Sequence, residues 1–277
     1  MGAWVVVGVD GSARSAAAAD WAAAEAAARG AALRIVRASP LPDQDLAGLW
    51  PFRPDPLPGH VRKALAGRHP GLSVECRHLT GPAVDTLVTQ SKEAELVVVA
   101  TRGAGGFPGL SLGSVALGMA ERSACPLVLV PGTPVDGSRT APDRVILGID
   151  AYDPAGPAIE FALQAAQRAD GALHAVHAWS LPAPAAEWMP FAVPEEDRGR
   201  WEDHQVQLLS DALRPWREKY PRTRVQEDVR LLSAAQALVR ASATADLLIV
   251  GRRGTQLGVT AHALAHHTRC PLALVPA

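Results

Sequence analysis

Aromatic residues are scarce in this chain, at 5% of 277 residues, although apolar residues make up 48%. Alanine carries much of that apolar count, which favours close-packed helices over an aromatic-rich binding surface. An excess of one charge is also lacking, since the formal net charge is −1. Such a balance leaves no overall electrostatic footprint for nucleic acid or an anionic membrane, and neither is expected as a partner. Cysteine is limited to Cys76, Cys125 and Cys270, an odd number without regular spacing. That argues against a disulfide framework and fits a reducing compartment. Charges interrupt every long apolar run before it reaches the length of a membrane span. The opening MGAWVVVGVDGS has no basic flank, and its apolar run stops at Asp10, so no signal peptide is expected. Gly2 does not open a myristoylation motif, because Val6 stands where Ser or Thr is required. Together these absences lead us to expect a soluble, cytoplasmic protein.

What is present is a repeat. VVVGVDGSARSAAAADWAAAEAAARGAALRIVRA (Val5 to Ala38) aligns without a gap on VILGIDAYDPAGPAIEFALQAAQRADGALHAVHA (Val145 to Ala178). AVDTLVTQSKEAELVVVATRG (Ala83 to Gly103) aligns on AAQALVRASATADLLIVGRRG (Ala234 to Gly254), and each copy closes on Cys-Pro-Leu, at Cys125 and Cys270. A self-similar chain of this length reads as two domains, 1–137 and 138–277, joined by the Pro-, Gly- and Ser-rich PGTPVDGSRTAPDR. In each copy short apolar runs alternate with alanine-rich helical stretches. The first copy predicts strands at Trp4–Val9, Leu33–Ala38, Ser73–Leu79, Leu96–Ala100 and Leu127–Val130. The second predicts them at Arg144–Ile149, Leu173–Ala178, Arg224–Val229, Leu247–Val250 and Leu272–Val275. Runs such as VVVGV and LLIV are apolar at consecutive positions, as strands buried on both faces must be. The helices between them supply the crossovers of a parallel sheet. Ser12 or Ser15 is suited to cap the first helix, which ends at Gly30. The middles differ: prolines in Ser39–Gly59 forbid a continuous helix and predict an ordered surface loop, whereas about Glu195 to Tyr220 predicts a long helix.

The stretch VVVATRGAGGFPGLSLGSVALG, Val97 to Gly118, holds glycines at 103, 105, 106, 109 and 113 after the fourth predicted strand. Ligands of an open parallel sheet bind beyond the carboxyl ends of its strands, where the strand order reverses. Asp10, after the first strand, and the glycine loop, after the fourth, are suited to that edge. Glycines let backbone N–H groups approach phosphate oxygens, and Gly113-Ser114 opens a helix whose N-terminus attracts anions. Ser114 adds a hydroxyl, and Arg102 a charge that is otherwise a solvated surface group. GxxxxGK[ST] is absent, and GxGxxG fails at Pro108. The plain alternatives are a tight crossover for the loop and a helix cap for Asp10. Cys125 and Cys270 read as buried space-fillers, and His266 with His267 as a helix-end surface pair lacking partner ligands.

These residues resemble the universal stress protein family in its tandem form. Its ATP-binding signature, G-x2-G-x9-G-[ST] after the fourth strand, is matched in spacing by Ala100-x2-Gly103-x9-Gly113-Ser114, with alanine at the first glycine. VGVDGS, the Cys-Pro pairs and the repeat strengthen the likeness, which covers nearly the whole chain. The resemblance implies an α/β fold: two tandem domains, each a five-stranded parallel sheet in the order 3-2-1-4-5 with helices on both faces. It implies that Asp10, beside Gly11, contacts the adenosine end of ATP and that Ala38 lines the adenine pocket. Backbone groups of Gly103, Ala104, Gly105 and Gly106, and of Gly113, Ser114 and Val115, are implied to hold the phosphates, with Mg²⁺ carried on them. In the second copy Gly251-x2-Gly254 is followed by only Thr255, Gln256 and Leu257 before Gly258, and Val259 replaces the serine. So short a connection offers too few N–H groups to wrap a triphosphate, and the second domain is expected not to bind one. No general base accompanies the loop, so a regulatory protein that acts by binding, not an enzyme, is expected. The competing class is a structural or protein-interaction module that uses no nucleotide. Either a homodimer or pairing of the two domains within one chain is expected, with LVLVP and LALVP as the candidate edges.

Overall fold

The structure, a computed structural model, describes residues 3–40, 57–103, 112–132, 144–181 and 194–277. The first half runs β1 (Trp4–Gly8), α1 (Ala13–Arg29), β2 (Ala32–Ser39), α2 (Leu57–Arg68), β3 (Val74–Thr80), α3 (Ala83–Ser91), β4 (Leu96–Ala100), α4 (Ser114–Arg122) and β5 (Leu127–Val130). The second half repeats it as β6 (Arg144–Gly148), α5 (Gly156–Arg168), β7 (Ala172–Trp179), α6 (Glu195–Lys219), β8 (Arg224–Leu231), α7 (Ala234–Ser242), β9 (Leu247–Arg252), α8 (Val259–His267) and β10 (Leu272–Pro276). Ten predicted strands are found, each within two residues of its expected ends. The loop expected over Ser39–Gly59 is narrower than that: Ser39 closes β2 and residues from Leu57 open α2, while 41–56 lie outside the described residues.

Local chemistry sets the helix ends. Ser12 Oγ accepts the Ser15 N–H at 3.1 Å and starts α1, and Gly30 ends it. Ser233 caps α7 in the same way, accepting from the Gln236 N–H. The strands form one ten-stranded sheet in the order β3-β2-β1-β4-β5-β10-β9-β6-β7-β8. Each half therefore has the order 3-2-1-4-5, parallel throughout. At the centre β5 and β10 pair antiparallel, with Leu272 opposite Leu129, Ala273 opposite Val128 and Leu274 opposite Leu127. Of the two pairings left open by the sequence, this is the one within the chain.

The alternation of side chains along each strand explains the consecutive apolar runs. Val5, Val7, Val98, Val128 and Ala273 face one layer with α1 and α5, while Val6, Val97, Val99, Leu127 and Leu272 face the other with α4, α7 and α8. Each of these two cores contains residues from both halves, so neither half has a core of its own. An ion-pair cluster adds to the join: Glu25 Oε1, on α1, accepts from Arg29 Nε at 2.6 Å and from Arg168 Nη2 of α5 at 3.0 Å. No helix among the described residues is long and apolar enough to cross a membrane.

A continuous core predicts that the halves unfold together. Leu129 is fully buried at the seam, so Leu129→Ala is expected to cost about 2–5 kcal/mol by removing buried methyl groups and leaving a cavity. Urea unfolding followed by circular dichroism and by tryptophan fluorescence should show one coincident transition moved to lower urea. Two separated transitions would contradict the shared core.

Candidate functional site

In the first half the strand order reverses between β1 and β4, and their carboxyl ends diverge there. A cleft of ≈ 530 Å³ opens at that point. Its apolar floor comes from Val36 of β2, Leu87 of α3, Val99 of β4 and Leu112. Its polar end is built by Asp10, Thr101, Arg102, Gly103 and the start of α4 at Gly113 and Ser114. Of the sequence-predicted site residues, Asp10, Ala38, Ala100, Arg102, Gly103, Gly113, Ser114 and Val115 line this one cleft. Gly11 follows Asp10 at the bend into α1 and is not among the lining residues. Ala104, Gly105 and Gly106 lie outside the described residues.

Asp10 is held by a short turn. Its Oδ1 accepts the Ser12 N–H at 3.0 Å and the Ser12 hydroxyl at 2.7 Å, and its own N–H is donated to Ser15 Oγ at 3.3 Å. The expectation that Asp10 caps the helix is thus realised indirectly: Ser12 is the cap, and Asp10 orients Ser12. Gly103 packs against the same carboxylate, and a Cβ built there would collide with Asp10 Oδ2. A side chain at 103 would therefore displace the Asp10 carboxylate. At the helix start, the Gly113 N–H is donated to the Thr101 carbonyl at 2.7 Å. This bond ties α4 to the end of β4 and commits the Gly113 N–H within the protein. The N–H groups that a helix leaves without intrahelical acceptors are then those of Ser114, Val115 and Ala116. Thr101 and the apolar floor were not singled out from the sequence, where a Thr before Arg102 and scattered Val and Leu carry no distinguishing pattern.

The second half has a smaller cleft of ≈ 370 Å³ at the equivalent place. Asp150 Oδ1 accepts the Tyr152 N–H at 3.1 Å, repeating the turn at Asp10. Beneath it, buried His177 lies 3.1 Å from Gln205 Oε1 through Nε2 and accepts the Ala151 N–H at Nδ1, while Gln205 Nε2 donates to the Tyr152 hydroxyl at 2.8 Å. His177 Nδ1 also lies 3.2 Å from the Ile149 carbonyl. Arg252 and Arg253 line this cleft, yet both are engaged with protein groups. Arg253 pairs with the Asp153 carboxylate at 2.5 Å. Arg252 donates to the carbonyls of Gly254 at 2.9 Å, Glu121 at 2.7 Å and Ser123 at 2.5 Å. Where the first half has Ser114, Val259 stands 87% exposed.

With this geometry in view, comparison with known proteins is informative. The family model described as the universal stress protein family matches residues 4–131 and again 142–276. Universal stress protein Rv2005c of Mycobacterium tuberculosis is 31% identical over 290 residues, which cover 97% of this chain and 95% of that protein. Rv2623 of the same organism, also a universal stress protein, is 33% identical over 270 residues, covering 90% and 86%. The chain belongs to the universal stress protein family. A crystal structure of a universal stress protein from Archaeoglobus fulgidus superposes with a TM-score of 0.66 at 16% identity, covering 99% of this chain and 98% of that one. At that identity the likeness extends to the fold. The paired match agrees with the repeat, and the tandem arrangement follows from it.

The remaining chemistry-bearing residues are structural in their surroundings. Burial pushes the Cys125 thiol up to about 11 and the Cys270 thiol up to about 12, so both are protonated at neutral pH. His262 and His266 share a face of α8 with ring centroids 4.7 Å apart, whereas His266 and His267 are 6.2 Å apart. The nearer pair is the one four residues apart, as helix geometry requires. Among the described residues no group of three His, Cys, Asp or Glu side chains converges on a metal position.

The thiols give a check on the packing. Iodoacetamide at pH 8 on the native protein should label Cys76 well before Cys125 or Cys270, read by peptide mass spectrometry. Raised folded-state values also mean that the folded protein keeps protons which the unfolded chain releases near pH 9, the ordinary thiol value. The thiol contribution to stability is therefore full below about pH 9 and is lost as the pH climbs through about 11 for Cys125 and about 12 for Cys270. Equal labelling of all three thiols in the native state would contradict this burial.

Proposed function

We propose that this universal stress protein binds one ATP per chain, in the cleft between β1 and β4, and acts through that binding and not through catalysis. The observation that carries this reading is the convergence of Asp10, Gly103 and the α4 N-terminus on one apolar-floored cleft at the switch point of the sheet. Each part has a task that matches a part of the ligand. The apolar floor suits a flat heterocycle, and the Asp10 carboxylate suits the hydroxyls of a ribose. The N–H groups of Ser114 and Val115, with the Ser114 hydroxyl, suit phosphate oxygens, favoured further by the helix dipole. Asp10 is the sole carboxylate lining this cleft among the described residues. A divalent cation would accordingly ride on the phosphates, with no protein cage to hold it.

The second cleft lacks these features. Its connection is short, and its hydroxyl position is taken by Val259. One site in two domains follows from that contrast.

Calorimetric titration of the full chain with ATP and Mg²⁺ is expected to give a stoichiometry near one. Ser114→Ala removes one donor and is expected to weaken binding about three- to tenfold, the usual worth of a single hydrogen bond. Gly103→Ala should weaken it further by pushing the Asp10 carboxylate aside. Folded protein that binds no ATP, and releases no adenine nucleotide on heat denaturation, would return the molecule to the class of interaction modules. A stoichiometry near two would show that the shorter loop suffices.

A further inference from the structure

The helix at the proposed phosphate end is short and intrinsically weak. α4 has nine residues, with Gly118 in its middle. A glycine there costs about 1 kcal/mol of helix propensity relative to alanine. It is nevertheless fitted to its place, because a Cβ at 118 would press on both Val84 Cγ atoms of α3 at 2.9 Å. Such a helix depends on what holds its ends.

Both ends are held, and by equivalent positions of the two repeats. At the N-terminal end the Thr101 carbonyl accepts the Gly113 N–H at 2.7 Å. In the alignment of Ala100-Thr101-Arg102-Gly103 on Gly251-Arg252-Arg253-Gly254, the counterpart of Thr101 is Arg252. Its guanidinium crosses the seam to the other end of the same helix and donates to the Glu121 and Ser123 carbonyls at 2.7 and 2.5 Å. The last carbonyls of a helix have no partners within it and carry the negative end of its dipole, so a fixed cation there is doubly favoured. Arg252 is itself anchored: it ends β9, pairs with Pro276 in the ladder, and its carbonyl accepts the Ala277 N–H at 3.0 Å. Next to the contact, the buried Ser123 hydroxyl is donated to the Cys125 carbonyl at 2.8 Å, and the Ala124 N–H to Ser91 Oγ at 2.9 Å. The C-terminal end of α4 is thereby fixed on all sides, one of them belonging to the other domain.

We propose that Arg252, in the domain with the shortened loop, is a positioning residue for the nucleotide site of the first domain. Resting on the ATP site proposed above, it acts through α4: it fixes the axis of the helix and so the direction of the Ser114 and Val115 N–H groups. The second domain thus contributes to binding in the first without touching the ligand.

The test uses the full chain, with ATP and Mg²⁺ as the probe and Arg168→Met as the comparison. Arg168 also ties the two halves, through Glu25, but on the α1 and α5 side of the sheet, away from α4. Arg252→Met is expected to weaken ATP binding about three- to tenfold, the range for loss of a helix-end charge and its hydrogen bonds. Hydrogen exchange over Ser114–Arg122 should quicken in the same variant. Arg252→Lys, which retains the charge but not the two-pronged geometry, should recover part of the affinity, and Arg168→Met should leave it unchanged. Unchanged affinity in Arg252→Met beside a wild type that binds ATP would overturn the inference and leave the binding site standing. Equal losses in the Arg252→Met and Arg168→Met proteins would overturn it too, by assigning the effect to general loosening of the seam. A wild type that binds no ATP would overturn the site itself, and the positioning role with it. Should Arg252→Met not fold, the comparison of Arg252→Lys with wild type decides: a Lys variant binding as tightly as wild type refutes the two-pronged role, and a weaker one supports it.

Discussion

The antiparallel pairing of β5 with β10 is the constraint on which the rest of this molecule depends. Four-residue β5 is buried along its whole length, and β10 covers what would otherwise be an apolar edge. Open edges of that kind are templates for unwanted association, and pairing them within the chain removes both at once. What remains at the outer edges, β3 and β8, reads VECRHLT and RVQEDVRL, strands rich in charge. The seam also makes one sheet of two, so side chains from both halves fill each core. Because the central pair is antiparallel, the carboxyl ends of β1 and β4 open in the opposite direction to those of β6 and β9. The two clefts therefore cannot form a common site, and each must be judged by its own residues.

Much of this was legible in the sequence, for physical reasons that can be named. Strands buried on both faces leave no polar alternation, so VVVGV, LVVVA and LLIV stand out as unbroken runs. The repeat doubled the information, since an ambiguous element in one copy is read from the other. The residues that line the candidate cleft stood out because glycine and Ser114 occur at a spacing that a crossover alone does not demand. Helix α2 was less visible: it opens at Leu57 inside a stretch whose prolines suggest loop, and only its later part, HVRKALAGR, carries a helical signal. Nor does the sequence say that the Gly113 N–H is committed to Thr101. That depends on how closely the end of β4 passes the start of α4, which is a matter of three dimensions.

Arg252 marks the limit of what one-dimensional pattern can supply. In sequence it is one of two adjacent arginines in GRRG, and the natural reading is a charge near a vestigial loop. Its acceptors lie 129 and 131 residues away, on a helix of the other domain. No periodicity connects those positions, and a backbone carbonyl has no residue identity for a motif to record. The contact exists only because β5 and β10 bring the end of β9 beside the end of α4. A tertiary constraint of this sort overrides the local reading of the residue.

The same contact bears on the proposal that one cleft and not the other takes a triphosphate. Three or four negative charges in a partly closed cleft need donors and cations whose capacity is not already used. In the second cleft the Arg252 guanidinium serves three carbonyls and Arg253 serves Asp153, so drawing either toward a phosphate would leave buried acceptors or a carboxylate without their partner. The shortened loop removes N–H donors at the same place. Under that proposal loop length and arginine commitment act in one direction, and Arg252, engaged at the second cleft, is also the residue that braces the helix of the first.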